Sequence, residues 1–311
     1  MKATPSSSIP AQDLAHTGCS PRKFRARNLH QAGRHWVRGD ACATAFFNAL
    51  SAVFPVGEAF MIEALKPWRD RVPEPLASDV AAFIVQEAAH TREHGAMNKA
   101  LIASGYDMAP LDRAIRGFVS TFANAGDITK LGATMCIEHL TAIVASELML
   151  RPHHLQGSDP EMQKLWFWHG IEEIEHKAVA FDTWMFATAH WSPMRRWLVR
   201  SALMVAVSIS FFINRTRGQV ELMRQDGFGW TKALPMILRN GFAKGGVGRA
   251  VLKPWFQFLK PGFHPWQIDD RQLIAKGEAM LKALQIITEG ELQLRPADRQ
   301  DQTVSRQIQA A

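Results

Sequence analysis

Apolar residues recur three and four positions apart along most of this chain, and period-two alternation is scarce. The spacing predicts a first helix through "ACATAFFNALSAVFPVGEAFMIEAL", opened by Asp40 as a cap and ending near Lys66. Pro55 and Gly57 fall inside it and predict a kink or break there. A second long helix is expected over residues 77–104, stopped by Gly105. "DMAPLDRAIRGFVSTFANAGD" reads as a short helix and connector. Asp127 is placed to cap a third core helix, "ITKLGATMCIEHLTAIVASELML", and Ser158 or Asp159 a fourth over residues 161–189. The periodic stretches are rich in Ala, Leu, Met, Glu, Gln and Arg, and the chain has a single Tyr, so the fold class is all-α.

"HWSPMRRW" breaks the pattern near residue 190 and closes the core. Residues 201–213 then carry no charge, but a spanning helix needs roughly twenty residues, so this run is expected to be a buried or interface helix. "WTKALPMILRNGFAKGG", "RAVLKPWFQFLKPGFHPW" and "DDRQLIAKGEAMLKALQIITEGELQL" also read as helices. The expected organisation is a disordered tail over 1–38, a four-helix domain over 39–190, a basic aromatic helical extension over 191–295 and a polar tail over 296–311.

Charge adds to this picture. The formal net charge is +7, yet Met185–Pro265 holds twelve Lys and Arg against only Glu221 and Asp226. That stretch sums to +10, which leaves −3 for the rest. It is also rich in Trp and Phe. Basic plus aromatic suits an anionic membrane surface or an anionic amphiphile such as a fatty acyl chain, and no nucleic-acid motif accompanies it. Three cysteines, Cys19, Cys42 and Cys136, in no paired spacing argue against a disulfide framework or a thiolate zinc site. The N-terminal stretch lacks the apolar core of a signal peptide. The expectation is a cytoplasmic protein, with peripheral contact at the inner face of a membrane and a homodimer both compatible with the composition.

The chemistry lies in two stretches, "FIVQEAAHTREH" and "WHGIEEIEHKAVAFD". Each holds a Glu and a His three residues apart, Glu87 with His90 and Glu173 with His176, on one face of a helix. The first predicted helix carries Glu58 and the third Glu138. Glu58 to Glu87 is 29 positions and Glu138 to Glu173 is 35, about the distance down one helix and back up the next. The order Glu, Glu-x-x-His, Glu, Glu-x-x-His is that of ferritin-like di-metal carboxylate bundles. These acids sit in apolar runs, where isolated carboxylates are costly to bury unless paired or ligated.

The expected metal ligands are therefore Glu58, Glu87, His90, Glu138, Glu173 and His176. Carboxylates and imidazoles without thiolate suit two iron ions, or manganese, better than zinc. Gln86, His139 and Glu172 are expected beside them, bonded to ligands. His94 and His169, one turn from the pairs, are candidates for a proton relay or an extra ligand. Glu63, Glu93, Glu147, Glu175 and Asp182 read as salt-bridge or capping residues, with Glu63 the substitute if Glu58 points away.

"LSAVFPVGEAFMIEAL", "FIVQEAAHTREHGAMN", "EHLTAIVA", "WFWHGIEEIEHKAVAFD" and "FHPW" together resemble the bacterial family of predicted metal-dependent hydrolases, over about Trp36 to Trp266. The resemblance implies a metal site and carries onto the same six residues. It includes His264, for which spacing suggests no role.

Ligand chemistry points first to a di-iron oxidoreductase that hydroxylates, desaturates or N-oxygenates a small organic substrate, drawing on O2 and an electron donor. The alternative, implied by the resemblance, is a metal-dependent hydrolase using a metal-activated water. Iron storage fits poorly with the basic aromatic third.

Overall fold

Asp40 opens the first long helix, its carboxylate accepting from the Cys42 and Ala43 amides at 2.8 and 3.0 Å. The structure is a computed structural model that describes residues 18–122 and 124–286. It is all-α: among the described residues there is no strand. The long elements are α1 (Ala41–Leu65), α2 (Leu76–Ala103), α3 (Ala109–Ser120), α4 (Asp127–Leu150), α5 (Pro160–His176), α6 (Val179–Ala187), α7 (Pro193–Gln225) and α8 (Trp230–Phe242). Shorter turns α9 (Val247–Ala250) and α10 (Leu252–Phe258) follow, and residues 271–286 form α11.

α1 packs along α2, and α4 along α5 and α6; the pairs meet through α1–α4, α2–α5 and α2–α6 contacts. Two apolar clusters fill the interior. One gathers Leu50, Phe54, Met97, Leu101, Leu148, Leu165 and Trp166. The other gathers Met61, Leu65, Val80, Phe83, Leu131, Met135, Val179 and Trp184. α1 and α5–α6 therefore run from the first cluster to the second, and α2 and α4 run back, with α3 between α2 and α4 in the chain. Glu58, Glu87, His90, Glu138, Glu173 and His176 fall on their helices between the two clusters.

Several local expectations need correction. α1 is continuous through Pro55. Proline cannot donate to the Ser51 carbonyl one turn back, and the Asn98 side-chain amide donates to that carbonyl at 2.9 Å instead. Asp127 is the first residue of α4 rather than its cap, a place taken by Gly126 without a side-chain bond. The single helix expected over 161–189 divides at Lys177–Ala178. There the buried Lys177 ammonium turns to Asp270, the Ile268 carbonyl and the Trp266 ring. Of the two caps expected for α5, Asp159 takes the place, accepting from the Glu161 and Met162 amides.

The tail expected over 1–38 is ordered over residues 18–38, and residues 1–17 lie outside the described residues. Residues 19–27 lie as a strap along α2 and α5. Ser20 and Arg22 amides donate to Glu175 and Glu172, the Ala26 amide donates to Glu93, and Phe24 stacks on Trp168 at 4.7 Å. Buried acids at the bundle surface thus take backbone donors from the strap, a pairing that no local sequence pattern displays. The polar tail expected at 296–311 and the end of the extension past 286 lie outside the described residues.

The extension packs its inner face on the bundle, α7 against α1, α3 and α4. The uncharged run of residues 201–213 is only half as expected: Met204, Val207 and Ser208 are buried, whereas Val205, Ile209, Phe212 and Ile213 are exposed. Three helical stretches, Ala41–Trp68, Asp127–Leu150 and Pro193–Gln225, are long and apolar enough to cross a membrane by length and composition. Their apolar windows are 56%, 78% and 22% buried inside the fold, so only α7 presents such a face outward.

Candidate metal centre

Glu58, Glu87, His90, Glu138, Glu173 and His176 converge, each at most 3% exposed. One donor atom each from Glu87, His90, Glu173 and His176 lie within 4.8 Å of one another, as do atoms of Glu58, His90 and His169. Glu138 adjoins the first group, its Oε2 3.7 Å from His176 Nδ1. His90 belongs to both groups.

The imidazoles are held from outside the cluster. His90 Nε2 meets Glu172 Oε2 at 2.9 Å, and His176 Nε2 meets Gln86 Oε1 at 3.0 Å. Both Nδ1 atoms therefore face the carboxylates: His176 Nδ1 lies 2.8 Å from Glu87 Oε1, and His90 Nδ1 3.6 Å from the same atom. Phe83 packs on the His176 ring and Trp168 on the His90 ring, at 4.6 and 4.8 Å.

A demanding electrostatic situation results. Burial pushes the Glu58 carboxyl up, with the Glu87 carboxylate adding to the effect. Burial, then Glu173, Glu87 and Glu58, push the Glu138 carboxyl up in the same way. Burial also opposes charge on Glu87, but the His176 and His90 rings beside it outweigh it and hold that carboxyl well below the usual range. Both oxygens of Glu87 and of Glu138, one each of Glu58 and Glu173, and Nδ1 of His90 and His176 are buried without a hydrogen-bond partner. Unsatisfied buried acceptors are rare and costly. A cluster of them facing one another is what divalent cations satisfy, so the donor set fits bound metal.

The remaining site residues sort by position. His169 Nε2 meets Glu173 Oε1 at 2.9 Å, and its Nδ1 meets His94 Nε2 at 2.6 Å. His94 Nδ1 meets the Ser51 hydroxyl at 2.9 Å, and that hydroxyl donates to Asn98 Oδ1 at 2.9 Å. Counting donors back from Asn98, His94 donates from Nδ1 and accepts at Nε2 from His169, which leaves Glu173 and His169 sharing one proton. Burial, then the His169 and His90 rings, keep His94 well below the ordinary imidazole range, hence neutral.

His139, expected beside the ligands, points away from them. Its Nε2 donates to the Pro254 carbonyl at 3.2 Å and its ring packs on Phe258 and Phe263, so it ties α4 to the extension. The reason is helical phase: a neighbour in sequence to inward-facing Glu138 sits about 100° around the helix. Glu63 is exposed and pairs with Lys66. Glu93, Glu147, Glu175 and Asp182 pair with Arg92, Arg151, Arg22 and His264. His264 thereby joins the extension to α6, while its Nδ1 accepts from the Trp266 amide.

Sequence reasoning misses Thr91, whose hydroxyl donates to Glu58 Oε2 at 3.0 Å, and Ser51, Asn98 and Arg22. Thr91 and Ser51 share helices with the acids, and a closer look at helical phase finds them; Arg22 offers no such signal.

No curated protein and no solved structure matches the chain. A family model described as predicted metal-dependent hydrolase matches residues 20–269, which span every residue of the cluster. With that match over most of its length, the chain belongs to the family of predicted metal-dependent hydrolases.

Proposed function

We propose that the buried cluster is a metal centre and that the chain is a metal-dependent hydrolase acting on a small organic substrate with an apolar body. The observation that carries this reading is the set of buried, unpartnered carboxylate and imidazole atoms of Glu58, Glu87, His90, Glu138, Glu173 and His176 facing one another. The family assignment supports hydrolysis better than the oxidoreductase reading to which ligand chemistry points first. The run of α1 and α5–α6 against α2 and α4 supports a ferritin-like arrangement around the cluster.

When bound, the ions would supply Lewis-acid polarisation and lower the pKa of a water. The chain's own residues do the rest. Glu172 and Gln86 orient His90 and His176. The Glu173–His169–His94–Ser51 series holds a proton between Glu173 Oε1 and His169 Nε2 and connects it through Ser51 to the half-buried Asn98. Phe54, Phe60 and Met61 wall the cavity beside Glu58 and Glu173 and keep bulk water out.

A second reading, an O2-activating di-iron oxidoreductase with a separate electron donor, is favoured by one observation. The cluster brings four carboxylates and the His90, His169 and His176 imidazoles together with no thiolate, a donor set suited to iron or manganese. Metal analysis of protein from iron-replete cells, followed by assay of generic esters and phosphates under argon, tests both. Anaerobic turnover with bound metal supports hydrolysis. Two irons per chain with O2 consumption and no anaerobic turnover replaces it with the second reading. Absence of metal sinks both.

The outward apolar face of α7, flanked by Arg195 and Arg217, supports peripheral contact with an anionic membrane.

A further inference from the structure

Three cavities adjoin along α7. The largest, about 530 Å³, lies between α1, α4 and the α7–α9 segment and is walled by Phe46, Leu140, Phe212, Leu238, Phe242 and Val251 among others. Its size is that of a small-molecule site (~300–1,000 Å³). A second, about 50 Å³, reaches Glu58 and Glu173; a third, about 30 Å³, reaches His169 and Glu173. Phe211 lines all three, and Arg215, one helical turn on, lines the first two. The large cavity and the metal centre are thus separated by Phe211 and Arg215 on a single face of α7.

Arg215 is a half-buried cation. Its guanidinium donates to Gln219 Oε1 at 2.9 Å and Thr216 Oγ1 at 3.4 Å, both on its own helix and both neutral, and lies 5.1 Å over the Phe46 ring. Among the described residues no carboxylate pairs with it. Arg200, on the same helix, differs: carbonyls of Phe263 and Lys260 take up its guanidinium. Asp40 is an acid in the wall of the large cavity, but its carboxylate caps α1. Arg38, His153, His154 and Lys244 line the same cavity. Burial pushes the Arg215 guanidinium down to about 10, so it remains charged at neutral pH. A half-buried cation with only neutral partners beside open space is completed by an anion.

We propose that Arg215 anchors one anionic group of the substrate, and that the substrate is an anionic amphiphile whose apolar body runs past Phe211 toward Glu58 and Glu173. This rests on the cluster being the reaction centre. The basic, aromatic composition of the extension thereby acquires a specific use: it supplies the anchor and the apolar walls of the approach.

The test is equilibrium binding of octanoate and 1-octanol to the full-length, metal-loaded protein by titration calorimetry. Octanoate is expected to bind about tenfold or more tightly than 1-octanol, the size of a charge-assisted hydrogen bond. Arg215→Gln is expected to bring the two within about twofold while 1-octanol affinity holds, and Arg215→Lys to retain part of the preference. If Arg215→Gln does not fold, a selective loss of octanoate affinity in Arg215→Lys supports the anchor, and an equal loss for both probes overturns it. Equal binding of the probes to the wild type, or no binding of either, also overturns it. If the preference survives Arg215→Gln but disappears on stripping the metal with a chelator, the carboxylate sits on the metal; the anchor falls and the metal reading stands. If the chain holds no metal yet shows an Arg215-dependent preference, the anchor stands and the metal-dependent function falls.

Discussion

His90 on α2 and Glu172 on α5 hold each other at 2.9 Å, and one turn away Gln86 on α2 holds His176 on α5 at 3.0 Å. Each helix carries the partner that aims the other's imidazole. Second partners of this kind tune metal affinity by about 10–100-fold. Glu172→Ala and Gln86→Ala are expected to weaken metal binding by that factor, read by competition with a chromophoric chelator, with helix content unchanged by circular dichroism. Wild-type affinity in both variants would sink the assignment of His90 and His176 as ligands.

Metal uptake is expected to release protons. Burial and neighbouring carboxylates raise Glu58 and Glu138. Burial opposes charge on His90, but its bond to Glu172 and the neighbouring Glu87 carboxylate outweigh it and raise His90 as well. These groups hold protons in the metal-free protein and must lose them to become ligands, so affinity rises with pH, roughly tenfold per unit for each proton released. Calorimetry in buffers of different ionisation enthalpy reads the release directly. A binding heat independent of the buffer would contradict it.

Asn98 completes a carbonyl that Pro55 leaves unused. Asn98→Ala is expected to cost about 1–3 kcal/mol, because the buried Ser51 carbonyl loses its donor. Pro55→Ala restores a backbone N–H to that carbonyl, so the same Asn98 substitution is expected to cost less in that background. A double-mutant cycle by urea denaturation measures the coupling. Additive effects would show that the two residues act independently.

His139 makes the fold acid-sensitive. Burial pushes its imidazole down to about 3 from an ordinary 6.5. Above pH 6.5 both folded and unfolded chains carry it neutral. Below that, the unfolded chain takes up a proton that the folded chain refuses, so stability falls as pH drops toward 3. The loss is on the order of 3 kcal/mol by pH 4. His139→Gln keeps a donor for the Pro254 carbonyl and is expected to lose less stability than the wild type between pH 7 and 4. Parallel unfolding curves for the two proteins across that range would refute the assignment.

Leu198, Val205 and Ile209 form one exposed stripe on α7. Co-sedimentation with vesicles of anionic lipid at low salt is expected to retain the wild type, and Leu198→Glu with Ile209→Glu to release it. Equal recovery of both proteins in the supernatant would remove the membrane contact from the proposal.

Much of the scaffold is legible along the chain because helices are local. The Asp40 and Asp159 caps, the stop at Gly105 and the two Glu-x-x-His stripes follow from neighbours within one turn. Even the meeting of Glu58 with Glu87 is anticipated, since a hairpin of helices returns the chain to the same height after a countable number of residues. Departures occur where the deciding partner is distant. Pro55 does not break α1 because Asn98, on another helix, supplies the missing donor. Lys177 interrupts the fourth core helix where Asp270 and Trp266 receive it.

By itself, then, the sequence determined the helices, their polar faces and the residue types that can hold a metal, all set by periodicities of three and four. Only the tertiary structure decided that residues 19–27 strap the bundle, that His139 turns to the extension, that His169, His94 and Ser51 join in one series, and that Arg215 faces a cavity with no carboxylate among the described residues paired to it. Each of these depends on which side chains from remote segments share a low-dielectric interior. Burial there makes every unpaired polar atom costly, so partners from far along the chain settle its geometry.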